Sequence, residues 1–385
     1  MLVASDRGAK IKRAAQLLVV ILITGVLVSN CLAQDEEKLF DGFWRTERGS
    51  IVKIDGSQGV FVFTPVKPWK GYINRVVIKN IRQKDDKWIA EEFIAPDGKG
   101  SWTEVEWEFK GNRIIRHVLF QGKSVESYYE RTRLKRPHNV DFGFMYYHFD
   151  YEEDVPFPLK SKEEEWLPGV YFGYTYKKKD EPYTRLFIEY TNADTDYDGT
   201  TQPPEAMPIV DTTDNVFFRF EWDVGYSFGS GEKSSLTPYI GYGYRYWKRG
   251  IGGPSPFDEK YTWHYFPVGI RADLELNDKW NIGANIAMRF MFGGKMRAFL
   301  SQIDSSASDF KVDLGDKAGW FAEIPVRYRF SDAWSFVGTP WYEYSEIGKS
   351  NQVYVISPGN SIGLWHEPAS TTHQSGINVG LVYSF

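Results

Sequence analysis

The sequence predicts an all-β chain in two folded parts. A small antiparallel β-barrel or meander domain covers residues 34–136, and a ten-stranded antiparallel transmembrane β-barrel covers residues 137–385, behind a signal peptide at residues 1–33. Three observations carry this. The chain ends on "GINVGLVYSF" (376–385), where Ile377, Val379, Leu381, Tyr383 and Phe385 alternate with small or polar residues and Val382 alone breaks the pattern. Aromatic residues make up 17% of the 385 residues, yet mean hydropathy is −0.42. No stretch after residue 33 approaches the ~20 apolar residues that a spanning helix needs. Strands with one apolar face reconcile these facts, because their side chains alternate between faces and their composition averages out as polar.

The first 33 residues read as an export signal. Arg7, Lys10, Lys12 and Arg13 form a basic segment, and Leu17 to Val28 is an apolar run interrupted only by Thr24 and Gly25, too short to span comfortably. Cleavage after Ala33 would leave no cysteine, and so neither a disulfide nor a thiol nucleophile. Lipidation of Cys31 is the other reading, although Asn30 stands where a lipoprotein signal carries Gly, Ala or Ser. A net charge of −5 gives no reason to expect nucleic acid as a partner.

From Phe40 to Arg133, turn signals recur every ten or so residues ("GSQG", "KDD", "PDGKG", "KGN"), which argues for an antiparallel meander. "DGFWRTE" opens it and "SYYERTR" closes it. An early Gly42-x-Trp44 with a late Arg131 resembles the small barrels of the lipocalin type, in which such a tryptophan plugs one end of the β-core. A plug and a ligand cavity are both open readings here. "RTRLKRPHNV" (131–140) is a basic linker.

Beyond it, apolar alternation marks strands near 139–150, 168–178, 183–192, 216–229, 236–248, 261–276, 280–293, 319–330, 334–346 and 374–385. The connections after the second, fourth, sixth and eighth are short ("KKDEPY", "GSGEKSS", "NDK", "SDA"), and the others are long. Short turns on one side and long loops on the other are the layout of an outer-membrane barrel. An even strand count then puts both barrel ends, and with them the amino-terminal domain, in the periplasm.

Facing supports the membrane expectation. In "VFFRFEWDVGYSF", Phe218, Phe220, Trp222, Val224, Tyr226 and Phe228 oppose Arg219, Glu221, Asp223 and Gly225. Outward Trp280, Trp334, Phe330, Phe228, Tyr176 and Phe385 fall near the turn side. Tyr190, Tyr246, Phe292, Trp320 and Tyr344 fall near the loop side. Two aromatic girdles flanking an apolar band are what a lipid-facing barrel needs. The closing Tyr383-Ser384-Phe385 resembles the carboxy-terminal aromatic signal of outer-membrane barrels. That resemblance implies lipid and the barrel assembly machinery as partners, beside a surface or periplasmic ligand that the sequence does not name.

Inward positions carry Arg185, Arg219, Arg245, Arg271, Arg289, Arg327 and Arg329 against Glu189, Glu221, Asp223, Asp273, Glu275, Glu323 and Glu343. Ten strands enclose a space only slightly wider than eight-stranded barrels fill with side chains. Arginines and carboxylates there should pair across it, since unpaired buried charges are costly. A closed lumen is expected, with a narrow polar channel as the alternative.

Two site expectations concern the loop side. "DTDYDGTTQPPE" (194–205) places Asp194, Asp196, Asp198, Thr200 and Glu205 at the spacing of an EF-hand loop, with Ca²⁺ as the implied ion, although Pro203 and Pro204 fall where the exiting helix would begin. A solvated acidic loop is the plainer reading. Ten strands is also the count of the omptin surface proteases, which need an acidic pair and an Asp-x-His at the rim. Asp194 and Asp196 could supply the pair, but no Asp-x-His occurs, nor any Gly-x-Ser-x-Gly. The expectation is a binding or structural barrel rather than an enzyme, with a rim enzyme of omptin or lipid-modifying type as a further alternative.

Overall fold

The computed structural model describes residues 40–94, 100–120, 123–132, 136–200, 207–230, 233–252, 256–357 and 361–385. The expected signal peptide, Cys31 and Glu205 lie outside them. Contacts divide the chain between Leu134 and Lys135.

The first unit is a closed eight-stranded antiparallel barrel. Its strands are β1 (Gly42–Thr46), β2 (Ile51–Asp55), β3 (Gln58–Phe63), β4 (Val76–Lys84), β5 (Lys87–Ile94), β6 (Ser101–Lys110), β7 (Arg113–Phe120) and β8 (Lys123–Thr132), each paired to the next, with β1 closing on β8. Trp44 is fully buried and its indole N–H donates to the Phe40 carbonyl at 2.6 Å. Arg131, registered opposite Trp44, places its guanidinium 5.0 Å from that ring and donates to the Asp41 carbonyl at 3.2 Å. Gly42 between them has φ +131°, a conformation L side chains rarely adopt. The interior also holds a carboxylate: Glu92 accepts from Trp107 Nε1 at 2.7 Å, from Arg116 Nε at 2.9 Å and from Tyr129 Oη at 2.9 Å. Burial pushes the Tyr129 phenol well above its usual range, so it stays a donor at neutral pH.

The second unit is a ten-stave antiparallel barrel. Its staves are β9 (His138–Glu153), β10 (Ser161–Tyr176), β11 (Glu181–Thr200), β12 (Pro208–Ser230), β13 (Ser234–Ile251), β14 (Phe257–Glu275), β15 (Trp280–Ala298), the interrupted pair β17 (Ala318–Glu323) and β18 (Val326–Arg329), β19 (Trp334–Ile347) and β22 (Ser370–Ser384). β22 closes the barrel on β9. A short β16 (Phe310–Asp313) extends the sheet beside β15, and β20 (Val353–Ser357) pairs with β21 (Ser361–Trp365) in the last long loop. Pro325 interrupts the eighth stave because it has no N–H for the ladder, and its ring packs over Gly283, where a Cβ would come within 2.8 Å.

All ten expected strands are present, but several run further on the loop side. β10 begins at Ser161 rather than near 168, and β11 and β12 stay paired as far as Thr200 opposite Pro208 rather than ending near 192 and 216. Apolar alternation marks a strand only where one face meets lipid. Above that level the outward face is no longer apolar while the backbone ladder continues.

Candidate functional site

Inward side chains of the larger barrel build three polar layers, the upper two separated by an aromatic one. The lowest holds Arg185 and Arg271, 3.5 and 2.9 Å from Glu323, which also accepts from Asn285 at 3.0 Å. Lys177 pairs with Asp273. Arg327 does not find the carboxylate the sequence suggested: it donates to the side-chain oxygen of Asn139 at 3.2 Å. Arg329 lies at the turn end and reaches the Asp278 carbonyl at 3.4 Å, and Glu275 is the last residue of β14.

The middle layer centres on Glu343 of β19, whose carboxylate accepts from Arg219 at 2.9 Å, Arg289 at 2.6 Å and Arg245. Arg219 also donates to Glu189 at 2.6 Å, and Arg289 to Glu221 at 2.9 Å. Tyr265 Oη completes Glu221 at 2.7 Å. Its ring lies where Gly243 has no side chain: a Cβ there would stand 2.0 Å from the Tyr265 Cζ. Asp223 is fully buried next to this layer, and neither of its carboxylate oxygens accepts a hydrogen bond from the described residues.

Above the middle layer the lumen is aromatic. Phe149, Tyr151, Trp247 and Tyr261 are buried, with Trp247 stacked on Tyr261 at 4.8 Å between centroids. A cavity of about 50 Å³ remains, lined in part by Phe149, Arg245, Trp263 and Tyr265. That is room for a few water molecules at most.

A third polar layer, unforeseen in the sequence, caps the aromatic one. Arg249 donates to Glu153 at 3.0 Å, to Glu259 at 3.2 Å and to Glu163. Asn215 donates to Glu163 at 3.0 Å, and Thr195 reaches the same carboxylate at 2.5 Å. Tyr261 Oη lies 2.9 Å from Glu259 and 2.6 Å from Glu367. The missed signal was continuation of the alternation: Arg249 follows Arg245 and Trp247 on the same face of β13. Glu163 lies above Pro168, where the sequence reading stopped.

The outer surface has the opposite character. Phe144, Val170, Trp222, Ile240, Phe266, Val268, Ile286 and Phe290 are exposed side by side on consecutive strands. Trp280, Phe330, Phe228 and Phe385 border them on the turn side, and Tyr190 and Trp320 on the loop side, all at least 40% exposed. An apolar belt of that extent has no place in water. The larger unit is a transmembrane β-barrel of the outer-membrane architecture.

Four of the five residues of the calcium expectation lie on an extended strand. Asp194, Asp196, Asp198 and Thr200 do not wrap a loop; they lie in β11, laddered to β12 with Asp194 opposite Asp214. The three aspartates are exposed on the outside of an extended strand, and Asp198 pairs with Lys160. A strand spaces alternate carboxylates about 7 Å apart along one line, too far for a single cation to collect them. No cluster of metal-ligating residues occurs among the described residues. The same facing points Asp194 and Asp196 away from the lumen. His264 and His373 meet Tyr242 and Tyr342, each at 2.7 Å, and His148 meets Glu164 at 3.1 Å.

No protein-family model and no curated protein matches the sequence. Solved structures similar to it include the outer membrane protease OmpT from Escherichia coli, at 7% identity over 64% of this chain and 96% of that one, with a TM-score of 0.48. The outer membrane protein OprG from Pseudomonas aeruginosa matches at 14% identity over 66% of this chain and 97% of that one, TM-score 0.32. Neisserial surface protein A matches at 12% over 65% and 97%, TM-score 0.24. Likenesses at this level carry no statement about activity.

Proposed function

We propose that the chain is an outer-membrane protein whose barrel serves as a sealed anchor for binding or structural work at the cell envelope, neither a conduit nor a catalyst. The amino-terminal lipocalin-like barrel then stands in the periplasm. Glu343, held by three guanidiniums across the lumen with an aromatic layer above, is the observation that carries this reading. Moving solute past that level would require separating buried ion pairs, at several kcal/mol for each charge left unpaired. The partners are the surrounding lipid, the barrel assembly machinery and an envelope or surface ligand of unassigned identity. The outward direction of Asp194 and Asp196 speaks against an omptin-like rim, and His148, His264 and His373 are engaged with aromatic or acidic neighbours.

Planar-bilayer recording tests this. Purified full-length protein should insert without discrete conductance. Stable single-channel steps that persist when the loop at 348–369 is shortened would overturn the sealed reading in favour of a narrow channel through the cavity beside Arg245.

A further inference from the structure

Four cations stand in one cross-strand row on the outer face of the barrel. Lys248 of β13 is registered opposite Lys260 of β14, Lys260 opposite Arg297 of β15, and Arg297 opposite Lys311 of β16. Their chain neighbours Trp247, Tyr261, Met296 and Val312 are buried on the inner face, so alternation points all four cations outward. Adjacent strands lie 4.7–4.9 Å apart, which packs the row into about 15 Å. Like charges directly opposite one another destabilise a sheet.

Protein carboxylates offset only part of this. Lys248 meets Asp258 at 3.1 Å and Arg297 meets Asp309 at 3.2 Å. Lys260 and Arg297 share one ring, that of Phe299, at 4.9 and 4.5 Å from its centroid. Cation–π contacts at such distances hold the two side chains at one height without neutralising them. Lys311 is exposed at the end of the row, and Lys295 is exposed one outward position nearer the apolar belt.

Height and sidedness narrow the ligand. Lys248 lies two residues beyond Tyr246 of the loop-side girdle, about 7 Å further along the strand. That is the level of lipid headgroups, while Phe290, Met288 and Ile286 continue down β15 as exposed apolar surface for acyl chains. The positive charge does not belong to the whole rim. Across β12 and β11 the row continues as the uncharged Val216 and Asn192, and the outward positions beyond them carry Asp214, Asp194, Asp196 and Asp198.

We propose that the Lys248–Lys260–Arg297–Lys311 row binds the phosphate-bearing headgroup of a lipid in the loop-side leaflet. A phosphate accepts hydrogen bonds from several cations at once and relieves their mutual repulsion. The inference rests on the transmembrane reading of the larger barrel.

The test uses the full chain reconstituted in phosphatidylcholine nanodiscs, with diphosphorylated lipid A or its phosphate-free analogue added and retained lipid counted by native mass spectrometry. The wild type should retain the phosphorylated lipid in clear preference. The fourfold variant K248Q/K260Q/R297Q/K311Q should lose that preference, whereas K178Q/K179Q/K233Q/K279Q, which removes equal charge at the turn side, should keep it. If the fourfold variant does not assemble, the double variant K260Q/K311Q, which leaves both ion pairs intact, should weaken the preference about 30-fold. Equal retention of the two lipids by the wild type, or unchanged preference in an assembled row variant, overturns the inference while leaving the transmembrane reading intact. Displacement of the lipid by millimolar inorganic phosphate would make the site one for a soluble anion and overturn the lipid assignment. Failure of the wild type to enter nanodiscs would instead sink the transmembrane reading itself.

Discussion

Arg219 and Glu343 meet at 2.9 Å across the full diameter of the barrel, from staves β12 and β19 that are five apart in a ring of ten. Neither is near the other in sequence, and Glu343 answers two further arginines at the same point. This contact ties opposite walls together. Replacing Arg219 with Ala leaves Glu189 and Glu343 buried with one donor fewer each, and is expected to destabilise the barrel by about 3–5 kcal/mol. Arg297→Ala, at an exposed side chain, should change the unfolding midpoint little. Heat-modifiable migration on a denaturing gel, followed with temperature, checks both. An Arg219→Ala midpoint equal to that of the wild type would show a hydrated, yielding lumen.

Glu367 gives a pH dependence. One phenolic proton on Tyr261 cannot be donated to Glu259 and Glu367 together, so one of these carboxyls carries a proton when both hydrogen bonds are present. Glu367 is the candidate: burial, then the charges of Glu259 on β14 and Glu153 on β9, push it well above the ordinary carboxylate range, against the nearby Arg249 of β13. A raised carboxyl stabilises the folded loop fully below its unfolded pKa, and this contribution is lost as pH rises through the folded value. Seating of the loop at 348–369, where Ser350 and Glu367 bond backbone to side chain at 2.8 Å, should therefore loosen above the ordinary Glu range. Limited proteolysis of that loop should accelerate with rising pH in the wild type and lose this dependence in Glu367→Gln. Parallel pH profiles would refute the assignment.

Phe385 stacks on His138 at 5.2 Å between centroids, and its backbone exchanges hydrogen bonds with His138 at 2.9 and 3.3 Å. These residues sit on the seam where β22 closes on β9. Deleting Phe385 should lower the protease-resistant, heat-modifiable fraction in outer membranes severalfold while export continues. Normal amounts of assembled barrel would contradict a role for this residue in closure.

The extended aspartates of β11 carry a fourth expectation. Calorimetric titration of Ca²⁺ should give the same heat for the wild type and for Asp194→Ala/Asp196→Ala, because their carboxylates are strung along a strand rather than gathered. A millimolar-range binding heat lost in the double variant would show that they gather a cation after all.

The sequence by itself determined the number of transmembrane staves, which residues face inward, where the girdles lie and which ends carry short turns. All of these follow from a period of two residues, a local property that each strand writes for itself. Tertiary structure alone decided which inward charges meet. Pairing of Arg219 with Glu343, or of Arg249 with Glu163, depends on how far each stave is staggered against its neighbour and on closure of β22 on β9. Neither is encoded in any one strand. For the same reason Arg327 met Asn139 rather than a carboxylate, and the strands outran their apolar signal. Backbone pairing continues where lipid no longer demands an apolar face, and there Asp194 and Asp196, loop-like in composition, become rungs of a ladder.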